Sequence, residues 1–276
     1  MLMTVKRLLF IALWLGLLSA CTLLTEEIDM TAGWSAERFY REGQEELQGG
    51  NYLTAIERFE KLQTRYPFGR YAQQAQLHLI YAYYKSEQPE SAIAAADRFI
   101  RTNPRHPDVD YAYYMKGVVN FNRGVGVIER LLPGDPAKTD TLTASQAFND
   151  FSELVRRFPQ SRYAEDAAQR MVYLRNNLAR YELNVGDYYL RREAYVAAAN
   201  RAKYVLENYA NSPVANDALA MLARAYLEMD MEDLARDALR VLRLNNPDHP
   251  ELAGLQSWLA GGDRPRPTSP SLFSLF

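Results

Sequence analysis

The chain has 276 residues, 48% of them hydrophobic and 24% charged, with a formal net charge of −2. A near-neutral balance without clustered basic residues excludes a nucleic-acid footprint, which needs a concentrated cationic surface. The chain has one cysteine, which excludes an internal disulfide framework, so the fold must be held by packing.

In chain order, Lys6-Arg7 precedes an apolar run from Leu8 to Leu18. That run is shorter than the roughly 20 residues of a membrane-spanning helix and has the form of a secretory signal. It closes on Leu18-Ser19-Ala20-Cys21, which resembles the bacterial lipobox, whose cysteine becomes the first residue and carries acyl chains. Cys21 is therefore the expected lipidation site, and its covalent lipid takes the place of any cofactor. Several acyl chains anchor stably where one binds only marginally. The lipobox resemblance implies an outer-membrane anchor on the periplasmic face, since an Asp at the place of Thr22 would favour the inner membrane. Residues 1–20 are read as a lipoprotein signal peptide and 21–34 as a lipidated linker.

From Ala36 to Pro67, Phe39, Gly43, Gly50, Tyr52, Ala55, Phe59 and Pro67 match without a gap the roughly 34-residue tetratricopeptide pattern, a helix–turn–helix unit. A second, weaker unit carries Tyr83, Ala92, Ala96, Phe99 and Pro104, with Ile80 at the glycine position and Pro89 at the turn aromatic. The third has Tyr113 and Gly117, then Ala147, Phe151, Leu154 and Pro159. Between them an insertion over about 124–141, with Gly124, Gly126, Pro133, Gly134 and Pro136, reads as a loop. The fourth has Gly186, Tyr189, Tyr195, Ala198, Ala202 and Val205, with Ala210 where proline is expected. Its first helix is expected to start early, because Tyr163 to Arg192 holds no proline and only Gly186. The fifth has Leu219, Leu222, Ala223, Tyr226, Ala235, Leu239 and Pro247. Pro107 and Pro250 close matching phrases after repeats two and five and suit the first turn of the next helix. Residues 251–260, with Trp258, read as a capping helix, and Gly261-Gly262 opens a tail whose Pro and Ser content predicts disorder.

The expected fold is all-α: a tetratricopeptide-repeat superhelix, or solenoid, of five helix pairs with a C-terminal capping helix. Repeats one to three fall in residues 35–160, repeats four and five with the cap in 161–260, and the tail in 261–276. In this repeat class, set positions of each first helix line the inner surface. In the first three repeats these include Tyr40, Leu77, Tyr81, Tyr84, Tyr111, Tyr114 and Phe121, with only Glu37 and Lys85 charged. In the last two they include Arg180, Asp187, Arg191, Asp217, Arg224 and Glu228, with no aromatic. Rigid amphipathic rings suit an extended peptide carrying aromatic side chains. A charged lining suits a folded partner recognised by ion pairs. His106 and His249 occupy equivalent turns, and no zinc-protease or phosphate-loop motif is present, so neither catalytic residues nor metal ligands are expected.

The lipobox, the five repeats, the segment Arg65-Tyr66-Pro67-Phe68-Gly69-Arg70-Tyr71-Ala72-Gln73-Gln74-Ala75-Gln76-Leu77 and the run Ile80-Tyr81-Ala82-Tyr83-Tyr84-Lys85 together resemble the BamD family, over about residues 18–250. These are lipoproteins of the outer-membrane β-barrel assembly complex. The resemblance implies docking on the periplasmic domains of BamA and companionship with other assembly-complex lipoproteins. It also implies N-terminal repeats that receive unfolded outer-membrane β-barrel substrates through their aromatic-ended C-terminal strand. Tyr66 and Phe68, from the Tyr-Pro-Phe-Gly turn, join the peptide-binding set, and Arg201, in Asn200-Arg201, is the residue implied to pair with BamA. The alternative is another periplasmic repeat lipoprotein, coordinating cell-wall or division proteins. The end of the tail, Ser271 to Phe276, matches a barrel's terminal strand in composition, which would make it an intramolecular competitor for the groove.

Overall fold

The structure, a computed structural model, describes residues 29–123 and 141–265. Among these residues every regular element is an α-helix: α1 Ala36–Gln48, α2 Tyr52–Arg65, α3 Arg70–Lys85, α4 Pro89–Thr102, α5 Val109–Arg123, α6 Thr141–Arg157, α7 Ala164–Arg191, α8 Tyr195–Asn208, α9 Ala215–Leu227, α10 Glu232–Asn245 and α11 Leu252–Leu259. Each packs on its sequence neighbours, so consecutive pairs build five antiparallel hairpins with α11 laid on α9 and α10. This is the expected repeat solenoid. Cys21, most of the insertion (residues 124–140) and the tail from 266 onward lie outside the described residues.

The turn inside each described hairpin has one construction. At Gly50, Glu87, Glu193 and Asp230 the backbone is left-handed, with φ of 79°, 59°, 59° and 56°. The following N–H reaches back to a carbonyl five residues earlier: Asn51 to Glu46 at 2.9 Å, Gln88 to Tyr83 at 2.9 Å, Ala194 to Tyr189 at 3.0 Å and Met231 to Tyr226 at 2.9 Å. This is the Schellman closure, which satisfies carbonyls that a helix end leaves orphaned. Only the first turn uses glycine; the others accept the strain of a side chain at positive φ. The turns between repeats also recur. The N–H groups of Asn103, Phe158, Tyr209 and Asn246 each bond to the carbonyl four residues back. Ala210 thus stands in the same turn as the prolines elsewhere. Pro107 and Pro250 are not in the first turns of α5 and α11 but in the connections that precede those helices. There His106 Nδ1 accepts the N–H of Asp108 at 3.1 Å, and His249 Nδ1 accepts that of Glu251 at 3.3 Å, so the histidine side chains, rather than proline, set up the helix starts.

Inside the hairpins a large side chain faces a small one. A Cβ on Gly43 would stand 2.5 Å from the Phe59 ring, and one on Gly117 would stand 2.4 Å from the Phe151 ring. Both phenylalanines are fully buried. In the second repeat the same two positions hold Ile80 and Ala96, both also fully buried. The volumes have been exchanged between helices, which a well-packed interior tolerates when the total is kept. In the fourth repeat Gly186 faces Met221 of the next hairpin, whose Sδ would lie 2.4 Å from an added Cβ.

The core falls into three clusters: around Phe39, Phe59 and Leu62; around Ile80, Phe99 and Phe151; and from Ala179 to Leu255. The 28-residue α7 belongs to two of them, giving Ala167 and Leu174 to the middle cluster and Ala179 and Leu183 to the last. Of the expected linker, Asp29 to Trp34 is packed rather than loose. Arg65 pairs with Asp29 and the Thr31 carbonyl, and Trp34 lies 5.1 Å from Phe39.

Candidate functional site: two inner faces

The first helices of repeats two and three, with the starts of α2 and α7, set aromatic rings side by side on one surface. The positions come from helical spacing: Tyr81 and Tyr84 are one turn apart on α3, and Tyr111, Tyr114 and Phe121 follow one stripe of α5. Tyr52 meets Tyr81 edge-on at 6.5 Å, and Tyr81 lies 6.5 Å from Tyr84. Tyr163 bridges Tyr111 at 5.7 Å and Tyr114, on which it stacks at 4.7 Å. Phe151 underlies Tyr114 and Phe121, and Phe121 reaches Tyr173 at 5.7 Å. The rings of this band other than Phe151 keep part of their surface exposed, and Tyr173 is 47% exposed.

Polar tips are tethered. The Tyr114 hydroxyl donates to Asp166 Oδ2 at 2.8 Å, and Arg170 Nε holds the same oxygen at 2.6 Å while its guanidinium covers Phe121 at 4.9 Å. Burial, reinforced by the Asp166 hydrogen bond, pushes the Tyr114 phenol up to about 12. Burial likewise pushes Tyr111 well above its ordinary value. Tyr111 and Tyr114 therefore present neutral hydroxyls at any physiological pH. At the N-terminal edge Tyr40 is hydrogen-bonded to His78 Nε2 at 3.0 Å and lies 5.4 Å from Tyr71. Burial pushes the His78 imidazole below its usual range, so it is neutral there.

Of the residues expected to bind peptide, Tyr81, Tyr84, Tyr111, Tyr114 and Phe121 share this band, and Tyr40 sits at its edge in a separate cluster. Leu77 does not contribute open surface: it is 8% exposed and belongs to the core beneath Tyr81 and Tyr111. Tyr66 and Phe68 lie on the first inter-repeat turn, away from the band's ring pairs. The Tyr66 hydroxyl donates to the Trp34 carbonyl at 2.9 Å, and Phe68 is 90% exposed. Tyr52, Tyr163 and Tyr173 join the band without having been expected there. They come from the start of α2, an inter-repeat segment and the early part of α7 rather than from first-helix lining positions.

The inner face of repeats four and five sets charged groups among Leu183, Leu190, Val214 and Met221. Arg180, Asp187, Asp217, Arg224 and Glu228 border a cavity of about 580 Å³. Arg224 Nη2 reaches Glu251 Oε2 at 2.7 Å, and His249 Nε2 lies 3.1 Å from Asp217 Oδ1. Because His249 Nδ1 accepts a backbone N–H, its Nε2 carries the ring proton and donates to Asp217. Burial pushes the Asp187 carboxyl above the usual carboxylate range. Arg201, on α8 outside this face, is half-exposed and pairs with Glu182 Oε2 of α7 at 2.8 Å. Among the described residues no group of three or more His, Cys, Asp or Glu is placed to hold a metal, and no helix is long and apolar enough to cross a membrane.

Stacked hairpins with an open, side-chain-lined inner face define a tetratricopeptide-repeat scaffold. The profile of the YfiO family, described as outer membrane lipoprotein, matches residues 33–242. The outer membrane protein assembly factor BamD of Neisseria meningitidis serogroup B (strain ATCC BAA-335 / MC58) is 42% identical over 255 residues, 92% of this chain and 95% of the relative. That of Xylella fastidiosa (strain Temecula1 / ATCC 700964) is 42% identical over 222 residues, 80% of this chain and 76% of the relative. A solved tetratricopeptide-repeat protein of Thermus thermophilus is similar at 15% identity and a TM-score of 0.34, covering 82% of this chain and 98% of that one. The chain belongs to the BamD (YfiO) family of outer membrane lipoproteins, non-enzymatic repeat scaffolds.

Proposed function

We propose that the chain is an outer-membrane protein assembly factor whose aromatic inner face holds unfolded β-barrel substrates while its C-terminal repeats dock on BamA beside other lipoproteins of the assembly complex. Cys21 carries the lipid that keeps this scaffold at the periplasmic face of the outer membrane. The observation that supports the substrate reading is the half-buried ring band from Tyr52 to Tyr173, which offers aromatic side chains a stacking surface at low entropic cost. The BamD name of relatives at 42% identity supports the assembly role. Arg201 serves the docking role by exchanging or sharing its Glu182 contact with an acidic group of the partner.

One experiment separates the two roles. Capture of an aromatic-ended peptide from a β-barrel's last strand and co-purification of BamA are measured on the same preparations. Tyr81→Ala with Tyr114→Ala should weaken capture by about tenfold or more and leave BamA recovery unchanged. Arg201→Glu should do the converse. Unchanged capture by the folded tyrosine variant, checked by its melting curve, refutes the groove.

A further inference from the structure

The chain after the capping helix turns back onto the molecule. Gly261 is left-handed, with φ of 89°, and the N–H of Gly262 bonds to the Ser257 carbonyl at 2.9 Å, which reverses the chain over the end of α11. A Cβ on Gly262 would stand 2.5 Å from Ser257 Oγ, so the reversal needs glycine there. Pro265 then seats against Gly254 of α11, where an added Cβ would lie 3.0 Å from the proline Cβ. Residues 262–265, expected in a disordered tail, thus lie on the fold and reach the inner face of repeats four and five.

Their contacts there are those of a bound peptide. Arg224 Nη1 donates to the Pro265 carbonyl at 3.2 Å, and Arg264 pairs with Glu228 while its guanidinium lies 5.8 Å from the Trp258 ring centre. The Glu228 side chain is 8% exposed, and Arg224, a cation of the same face, is committed to Glu251. A carboxylate so enclosed needs a cation, because an unpaired buried charge is strongly destabilising. The strap supplies it, and Arg264 borders the cavity of about 580 Å³ that Asp187 and Asp217 also line.

We propose that the inner face of repeats four and five is a second polypeptide site, selective for an extended segment that carries arginine, and that the chain's own Asp263-Arg264-Pro265 occupies it in cis. The sequence repeats the recognised unit at once, Arg264-Pro265-Arg266-Pro267. A tethered segment competes at high effective concentration, so the strap gates this face against arginine-bearing segments of other chains. The aromatic band plays no part in this site, and either can fail without the other.

The test uses the chain from Thr22 onward and a fluorescent peptide with the sequence of residues 261–268, titrated to millimolar concentration by anisotropy. With Arg264→Ser weakening the strap, the peptide should bind about tenfold tighter than to the unaltered chain. Glu228→Gln added to Arg264→Ser should cancel the gain, as should a peptide with serine in place of both arginines. Melting curves confirm that each variant is folded. Cis occupancy is read separately: Gly254→Cys with Pro265→Cys should form a disulfide in the folded chain. Failure of the folded Arg264→Ser chain to bind, binding indifferent to the peptide's arginines, or a cysteine pair that stays reduced under oxidant would overturn the proposal.

Discussion

The two inner faces share first-helix lining positions and borrow residues from neighbouring segments, yet one is a band of rings and the other is rich in charge. In the N-terminal half, rings dominate, and the cations beside them lie over ring faces: Lys85 over Tyr52, Arg162 over Tyr163 and Arg170, paired with Asp166, over Phe121. In the C-terminal half, Arg224 and Glu251 neutralise one another at 2.7 Å, and the outstanding acid, Glu228, takes its cation from beyond the repeats. A repeat scaffold can therefore set its binding chemistry hairpin by hairpin, because each repeat's fold depends on buried small–large pairs and not on the lining. The lining is free to diverge; the pairs are not.

The largest expected effect breaks that separation on one side only. Phe151 is fully buried, fills the space beside Gly117 and supports both Tyr114 and Phe121. Phe151→Ala should cost about 3–5 kcal/mol of stability and also abolish peptide capture by the aromatic band. Leu239→Ala, in the C-terminal core at 2% exposure, should cost about 2–4 kcal/mol yet leave capture intact below its melting temperature. Melting curves paired with capture at low temperature would show whether the halves are coupled.

A smaller effect sharpens the charged side. Burial raises the Asp187 carboxyl in the fold, so ionised Asp187 opposes folding at neutral pH. The stability associated with its protonated form is fully present below the ordinary carboxylate range and is lost as pH rises through the raised value. Asp187→Asn should raise the melting temperature slightly at pH 7, and the gain should vanish below about pH 4. A gain independent of pH would show that charge at this position is not the cause.

Much of this was legible in the sequence because the repeat is written in side-chain volume. Gly43 with Phe59 and Gly117 with Phe151 could be read directly, and the unbroken α7 followed from the absence of proline between Tyr163 and Arg192. Ile80 makes the second repeat look like a poor copy, because matching position by position does not register that Ala96 gives back the volume. The repeat position of Leu77 points to the open face, but a leucine is too short to clear the tyrosines packed around it. Tyr114, at the same repeat position, carries its hydroxyl out to Asp166. Tyr163 and Glu251 come from connections between repeats, and Arg264 from a segment whose composition signals disorder. Their convergence depends on where the superhelix turns, which no local pattern encodes.

The account rests on the aromatic band being where an extended substrate lies. A photoreactive phenylalanine analogue placed singly at Tyr84, Tyr173, Arg180 or Asp217 would report this directly when an aromatic-ended barrel peptide is added and the mixture irradiated. Strong cross-linking from positions 84 and 173, with little from 180 and 217, is the expected pattern. Equal labelling at all four, or labelling concentrated on the charged face, would contradict it.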